Sequence, residues 1–134
     1  MERTLILIKP DGVRRRLIGE IIHRIEQKSL DIEKLQMMTL TKEVCREHYK
    51  EHEGKDFFPY LIRFMTSGPS VAMIVKGESA IQEMRMMIGC TNPLEAAPGS
   101  IRGDYGMKTS ENVVHGSDSS ESAQREIGLF FPEK

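Results

Sequence analysis

The chain alternates between short apolar runs and stretches whose apolar residues recur at helical spacing. Residues 4–8 (TLILI) form a continuous aliphatic run that ends at Pro10, which predicts a central strand buried on both faces. Between residues 17 and 25 the apolar side chains share one face of a helix, which we expect to end near Lys28. Residues 30–40 alternate loosely and predict a second strand.

The same alternation continues to the end of the chain. We predict helices over residues 41–52, 56–65, 79–87 and 119–127, strands over 70–75 and 112–114, and a long loop over 90–111. A loop of this length inside one domain usually carries function. The resulting order, β-α-β-α-α-β-α-loop-β-α, predicts an α+β sandwich of the ferredoxin-like type, with a four-stranded antiparallel sheet covered by helices.

One histidine stands where the last predicted strand ends. His115 is followed at once by Gly116 and by small polar residues, which indicates a sharp turn that a substrate can approach. We expect Asp118 to cap the final helix, with Glu121 three residues later and Gly128 at its end. Imidazole suits a nucleophile or base at neutral pH, because its ordinary pKa is about 6.5.

Composition narrows the class of protein. A net charge of −1 gives no reason to expect nucleic acid as the main partner, and no apolar run approaches the length of a membrane span. Cys45 and Cys90 are far apart and form no CxxC pair, so reduced thiols in the cytoplasm are the simpler reading. We expect one domain over residues 1–134, and the chain contains no GxxxxGK[ST] phosphate loop.

Several cationic side chains are candidates for binding an anion. Lys9 follows the first strand, and Arg102 lies between two glycines in the long loop, where its guanidinium can match phosphate oxygens. From position alone, an exposed lysine is the favoured interpretation of Lys9, and a solvated helix residue that of Arg85. A salt bridge to Asp104 explains Arg102 as well as anion binding does.

Polar and aromatic candidates are also ambiguous when taken singly. Thr91 is an ordinary turn residue, and Asn112 can bind a ligand or simply cap its strand. Phe57 can stack on a flat ligand, although the core is its default place, and Tyr49 fits either role equally.

Other residues are predicted to be structural. We expect the methionines at 37, 38, 65, 73, 84, 86 and 87 to fill the core, and His23, His48 and His52 to lie on the surface.

Four motifs together carry a resemblance to a known family. They are KPDGV at 9–13, TNP at 91–93, SIRGD at 100–104 and NVVHGSDS at 112–119. Their order and spacing resemble those of nucleoside diphosphate kinases over essentially the whole chain. The resemblance implies transfer of a γ-phosphoryl group, mainly from ATP, to a nucleoside diphosphate through a phosphohistidine on His115, with broad tolerance of bases. It also implies Mg²⁺ on the nucleotide phosphates rather than in a protein cage.

The resemblance also assigns roles to single residues. It implies that Glu126 holds the imidazole and that Ser117 supports Glu126, with Tyr49 beside the histidine. The other implied nucleotide ligands are Lys9, Arg85, Thr91 and Arg102 on phosphates, Asn112 and Lys9 on ribose, Phe57, Leu61 and Thr109 beside the base, and Gly116, which lets phosphate approach the backbone.

Three points remain open at the sequence level. The family implies a homo-oligomer, either a tetramer or a hexamer. Cys90 stands where many members have glutamate, and its role is undefined. The alternative function is a catalytically silent relative that binds nucleotides or regulates a partner, which the loss of His115 or of a phosphate ligand would favour; all are present.

Overall fold

Four strands form one antiparallel sheet. The computed structural model describes residues 1–132. Its strands are β1 (Glu2–Ile8), β2 (Asp31–Met38), β3 (Ser70–Gly77) and β4 (Val114–Gly116), and they lie in the order β2-β3-β1-β4. β1 pairs with β3 on one side and with β4 on the other. The ferredoxin-like prediction is therefore confirmed.

Seven helices connect and cover these strands in the described part of the chain. They are α1 (Pro10–Arg14), α2 (Ile18–Gln27), α3 (Lys42–His48), α4 (Phe58–Met65), α5 (Ala80–Ile88), α6 (Ile101–Tyr105) and α7 (Ser120–Phe130), with a 3₁₀ turn at Lys50–His52 after α3. Not one of them, within residues 1–132, is both long and apolar enough to cross a lipid bilayer.

β1 separates two hydrophobic clusters, because its side chains alternate between the two faces of the sheet. Ile6 and Ile8 pack in the cluster that contains residues of α2 and α5. Leu5 and Leu7 pack in the cluster that contains residues of α3, α4 and α7. The prediction of a central strand buried on both faces is confirmed, and β1 carries functional residues at its end on a rigid support.

The predicted loop over 90–111 needs correction, because it contains the short helix α6. Ser100 caps this helix by accepting a hydrogen bond from the Gly103 backbone. A side chain at Gly103 would collide with the Ala97 carbonyl, since its Cβ would lie 2.0 Å from that oxygen. The glycine thus permits close packing of α6 against the loop that precedes it.

The predicted boundaries at the end of the chain also need correction. The strand begins at Val114 rather than Asn112, because Val113 has φ 77° and cannot continue a strand. Ser119, not Asp118, caps α7, since its hydroxyl accepts from the Ser122 backbone. Gly128 lies inside α7, which continues to Phe130.

The methionines divide between core and surface. Met65, Met73 and Met84 are fully buried, as predicted. Met37 and Met86 are 54% and 69% exposed, so the core prediction is wrong for them. Met37 lies on β2, a strand at the sheet edge with exposed residues along nearly its whole length.

Candidate active site

His115 lies on the edge strand β4, where the sheet meets a large cavity. Its position is fixed by antiparallel pairing with Leu7 of β1. Its side chain is 21% exposed and lines a cavity of about 750 Å³. This combination holds the imidazole on rigid backbone and leaves it reachable from solvent.

A carboxylate and a hydroxyl orient the imidazole from behind. The Nε2 atom of His115 lies 2.9 Å from Oε1 of Glu126, which is buried on α7. The Ser117 hydroxyl donates to the same oxygen at 2.8 Å and accepts from the Leu5 backbone at 3.1 Å. With a proton on Nε2 shared with this carboxylate, Nδ1 keeps the free lone pair of the neutral ring.

Lys9 is buried beside Asn112 rather than exposed at a strand end. Its Nζ donates to the Asn112 side-chain oxygen at 2.8 Å, and the Asn112 amide donates to the Thr91 carbonyl at 3.0 Å. Burial, reinforced by repulsion from Arg102, lowers the pKa of Lys9 from 10.5 to about 8. A buried ammonium of this kind gains a great deal from an anion that enters the cavity.

Arg102 points into the same cavity and does not pair with Asp104. Its guanidinium donates to the Val114 carbonyl at 2.7 Å and to the Gly89 carbonyl at 3.3 Å. Asp104 instead accepts from Arg24 at 2.8 Å. Burial, followed by repulsion from the charge of Arg85, lowers the pKa of Arg102 from its ordinary value to about 10.

Aromatic and apolar side chains line another part of the cavity wall. Phe57, which directly precedes α4, is 48% exposed, while Leu61 one turn later is buried. Thr109 lines the same cavity. Tyr49 is buried nearby, and burial raises the pKa of its phenol above the ordinary value.

The fold brings the sequence-predicted site residues together around one cavity. All but Ser117, which lies behind Glu126, are among the lining residues. Gly116 also has a packing reason for its identity, because a Cβ there would lie 2.7 Å from Cδ1 of Ile88.

His48 is the main residue that the sequence analysis missed. The prediction that it lies on the surface is wrong, since it is 3% exposed. Its ring stands edge-on to the His115 ring, with centroids 4.7 Å apart at 86°. Burial, followed by repulsion from His115, holds the pKa of His48 well below 6.5. The sequence did contain a signal for this burial. His48 lies three residues after Cys45 and directly before Tyr49, a helical spacing that puts all three on the apolar face at the end of α3, and all three are buried.

Further lining residues had no distinctive signal in the sequence. Asp118, Ser122 and Arg125 contribute from α7 and the residues before it, and Tyr60 from α4. A hydrogen bond from the Ser122 side chain lowers the pKa of Asp118.

Comparisons with known proteins agree with this geometry. A family model described as nucleoside diphosphate kinase matches residues 2–134. Among curated relatives, the nucleoside diphosphate kinase of Thermobifida fusca is 57% identical over 133 residues, covering 99% of this chain and 98% of its own. The enzyme of that name from Mycobacterium tuberculosis is 60% identical over 132 residues, covering 98% and 97%.

Solved structures show the same likeness. The apo nucleoside diphosphate kinase of Encephalitozoon cuniculi superposes with a TM-score of 0.97 at 43% identity, covering 99% of this chain and 90% of that one. A halophilic relative from Halobacterium salinarum, solved in complex with CDP, gives a TM-score of 0.96 at 46% identity, covering 98% and 88%.

The fold and the cationic cavity define a phosphotransferase that acts on nucleotides. The chain belongs to the nucleoside diphosphate kinase family. The enzyme class predicted from the sequence is thereby confirmed, and no observation favours the catalytically silent alternative.

Proposed function

We propose that this enzyme carries the phosphoryl group on Nδ1 of His115 during a ping-pong reaction. The observation that supports this most directly is the 2.9 Å contact between Nε2 of His115 and the buried Glu126. Since that contact engages one ring nitrogen, the lone pair of Nδ1 is left to attack phosphorus. A nucleophile held by a buried carboxylate, beside several cations, fits phosphoryl transfer better than simple nucleotide binding.

The proposed reaction has two symmetric half-steps. Nδ1 attacks the γ-phosphorus of a nucleoside triphosphate; a P–N bond forms while the bond from that phosphorus to the β–γ bridging oxygen breaks. The electron pair leaves with the nucleoside diphosphate. Glu126 then balances the positive charge that develops on the ring. A second nucleoside diphosphate attacks the phosphohistidine and regenerates the neutral imidazole.

Cations of the cavity supply the electrostatic part of catalysis. A phosphoryl transition state spreads negative charge over three oxygens, so catalysis rests mainly on positioning and charge stabilisation. Three cations line the cavity: Lys9 from the junction of β1 and α1, Arg85 from α5 and Arg102 from α6. We assign phosphate binding to these three and to Thr91, with Mg²⁺ entering as part of the nucleotide substrate rather than as a resident ion.

We assign the nucleoside to the aromatic side of the cavity. Phe57 offers an exposed face for stacking, with Leu61 and Thr109 beside it. We assign the ribose hydroxyls to Asn112 and Lys9, whose side chains are hydrogen-bonded to each other at 2.8 Å. Stacking reads the flat face that every base has, so this arrangement predicts broad tolerance of bases.

We also propose that the enzyme forms a homo-oligomer through the edge strand β2. Leu35 and Met37 on this strand are 49% and 54% exposed, and the strand has a neighbour, β3, on one side only within the described residues. An edge strand with exposed apolar side chains commonly pairs with another chain. A cytoplasmic location remains a prediction from the sequence.

The activity is tested by measuring phosphoryl transfer from ATP to GDP, CDP or UDP in the presence of Mg²⁺, with acceptors purified from traces of ADP. We expect all three acceptors to be used and His115→Gln to lose activity by at least about 10³-fold. The matched control is His23→Gln, an exposed histidine outside the cavity. Residual activity of His115→Gln near that of the unmodified enzyme would refute the phosphohistidine.

A further inference from the structure

The proposed reaction assigns no role to the buried imidazole of His48. Neither ring nitrogen of His48 has a hydrogen-bond partner within residues 1–132, although the residue is only 3% exposed to solvent. Buried nitrogens almost always have a partner, so an unpartnered one needs a physical explanation. The ring stands edge-on to that of His115 and belongs to a residue that lines the active-site cavity, so the lone pair of its neutral form lies beside that cavity.

Two further donors lie within reach of that lone pair. His48, His115 and Glu126 each offer one ligand atom, and these atoms all lie within 4.8 Å of one another. The Nε2–Oε1 pair is already 2.9 Å apart. In a tetrahedral zinc site with bonds of about 2.1 Å, two ligand atoms lie about 3.4 Å apart. Closing the set around an ion therefore requires the 2.9 Å pair to open by about 0.5 Å and the wider pairs to close by at most about 1.4 Å.

We propose that His48, His115 and Glu126 form a binding site for one Zn²⁺ ion, which inhibits the nucleotide-free enzyme. Two imidazoles and one carboxylate are a donor set that zinc accepts, with the fourth position left to water. Mg²⁺ prefers six oxygen ligands and does not suit this set. No other group of three such ligands occurs in the part of the chain described by the structure.

The inhibition follows from the tautomer of His115 and rests on its proposed function, whereas the binding does not. A neutral imidazole has one lone pair and one N–H. When zinc binds Nε2, the proton moves to Nδ1, and the nitrogen that attacks phosphorus loses its lone pair. The ion also takes the Glu126 oxygen that orients the ring.

Charge in the cavity limits the affinity. Lys9 and Arg125 act on His48 from the same cavity and repel a dication. We therefore expect a dissociation constant in the micromolar range, weaker than that of a structural zinc site. This limit makes the site suited to reversible inhibition rather than to permanent occupancy.

The binding test uses the nucleotide-free full chain, because nucleotides themselves chelate zinc. Zn²⁺ is titrated in competition with a chromophoric indicator, and we expect one ion per chain. His48→Gln should weaken binding at least about tenfold. The matched control is His52→Gln, a histidine that lines the same cavity outside the three-ligand set and should leave the affinity unchanged. An affinity unchanged in His48→Gln, or no stoichiometric binding, would overturn the proposal.

Two measurements guard against misreading. Co²⁺ bound to the unmodified protein should show the intense visible absorption of a tetrahedral site, and a weak octahedral spectrum would contradict the site. This measurement does not depend on the folding of any variant.

The inhibitory role is tested at a buffered concentration of free Zn²⁺. Each protein is compared with its own zinc-free rate, and we expect weaker inhibition of His48→Gln than of the unmodified enzyme. Equal inhibition of both would overturn the inhibitory role. If the protein binds zinc but the zinc-free protein transfers no phosphoryl group, the proposed function is refuted and the metal site is not affected.

Discussion

Burial alters the acid–base behaviour of Lys9, one of the cations that line the active-site cavity. Lys9 has a pKa of about 8 rather than 10.5, so the ligand-free enzyme loses this charge at mildly alkaline pH. Between those two values the unfolded chain keeps a proton that the folded chain has released. Lys9 therefore contributes to a rise in stability with pH over this window, and to a fall in phosphate affinity.

This shift predicts that nucleotide binding takes up protons. A bound polyphosphate favours the charged ammonium, so saturating ADP at about pH 8.5 should draw up to about one proton per site. Calorimetry in buffers of different ionisation enthalpy measures this uptake. Lys9→Met should abolish it, while Lys50→Met, which removes an exposed lysine at the same cavity, should preserve it. Equal uptake in both variants would contradict the assignment.

The orientation of the imidazole gives a second prediction. Glu126→Gln keeps the size of the side chain and removes the charge that balances the ring cation. We expect the rate of phosphorylation by ATP, measured in a single turnover, to fall by about 10–100-fold. Glu121→Gln, an exposed glutamate on the same helix, is the control. An unchanged rate in Glu126→Gln would show that the carboxylate does not assist the transfer.

Sequence patterns predicted the residues of the cavity better than their surroundings. The motif around His115 indicated its chemistry because strand, turn and helix follow one another locally there. The burial of His48 depends on how α3 packs against Phe130, whose ring lies 5.2 Å away and comes from the far end of the chain. Because charged residues surround His48 in the sequence, the local pattern predicted a surface position and did not indicate the contact with Phe130.

At the level of elements, the turn before β4 holds the site in place. Val113 has φ 77°, which a β-branched residue rarely adopts and which costs on the order of 1–3 kcal/mol. Two hydrogen bonds compensate: the Lys9 backbone donates to the Val113 carbonyl at 2.8 Å, and the Val113 N–H donates to Asp11 at 3.0 Å. Asn112 precedes Val113 and His115 follows it by two residues, so the turn fixes the positions of both cavity residues.

Loss of the Asp11 contact should therefore destabilise the fold. Asp11→Ala leaves the buried Val113 N–H without an acceptor, and we expect the free energy of unfolding to fall by about 1–3 kcal/mol. Asp11→Asn should lose less, since the amide oxygen still accepts and the buried charge disappears. Urea denaturation measures both changes, with the exposed Asp31→Ala as control. A loss in Asp11→Asn as large as in Asp11→Ala would argue against the hydrogen bond.

Elements with a long periodic pattern were predictable, whereas the short helix α6 was missed and the bounds of the short strand β4 were shifted. α2 shows its apolar face over ten residues, whereas α6 spans five and depends on the Ser100 cap and the contact of Gly103 with Ala97. The beginning of β4 was misplaced because the positive φ of Val113 arises from tertiary hydrogen bonds. Such contacts join residues about a hundred positions apart and leave no local pattern.

At the scale of the whole molecule, β2 is the feature that the single chain does not explain. A strand with most of its residues exposed gains little from burial in the monomer. We expect Leu35→Asp to weaken self-association, as measured by sedimentation velocity across a concentration series. Met86→Asp, which alters an even more exposed apolar residue on α5, is the control. Association unaffected by Leu35→Asp would place the interface elsewhere.

The central claim concerns the atom that carries the phosphate. The enzyme is incubated briefly with ATP and Mg²⁺ without an acceptor, and mass spectrometry and nitrogen-15 NMR locate the modification. We predict one acid-labile phosphate on Nδ1 of His115, with Nε2 still hydrogen-bonded to Glu126, and complete removal on addition of CDP. A phosphate on Nε2 or another residue, or one that CDP does not remove, would contradict the account.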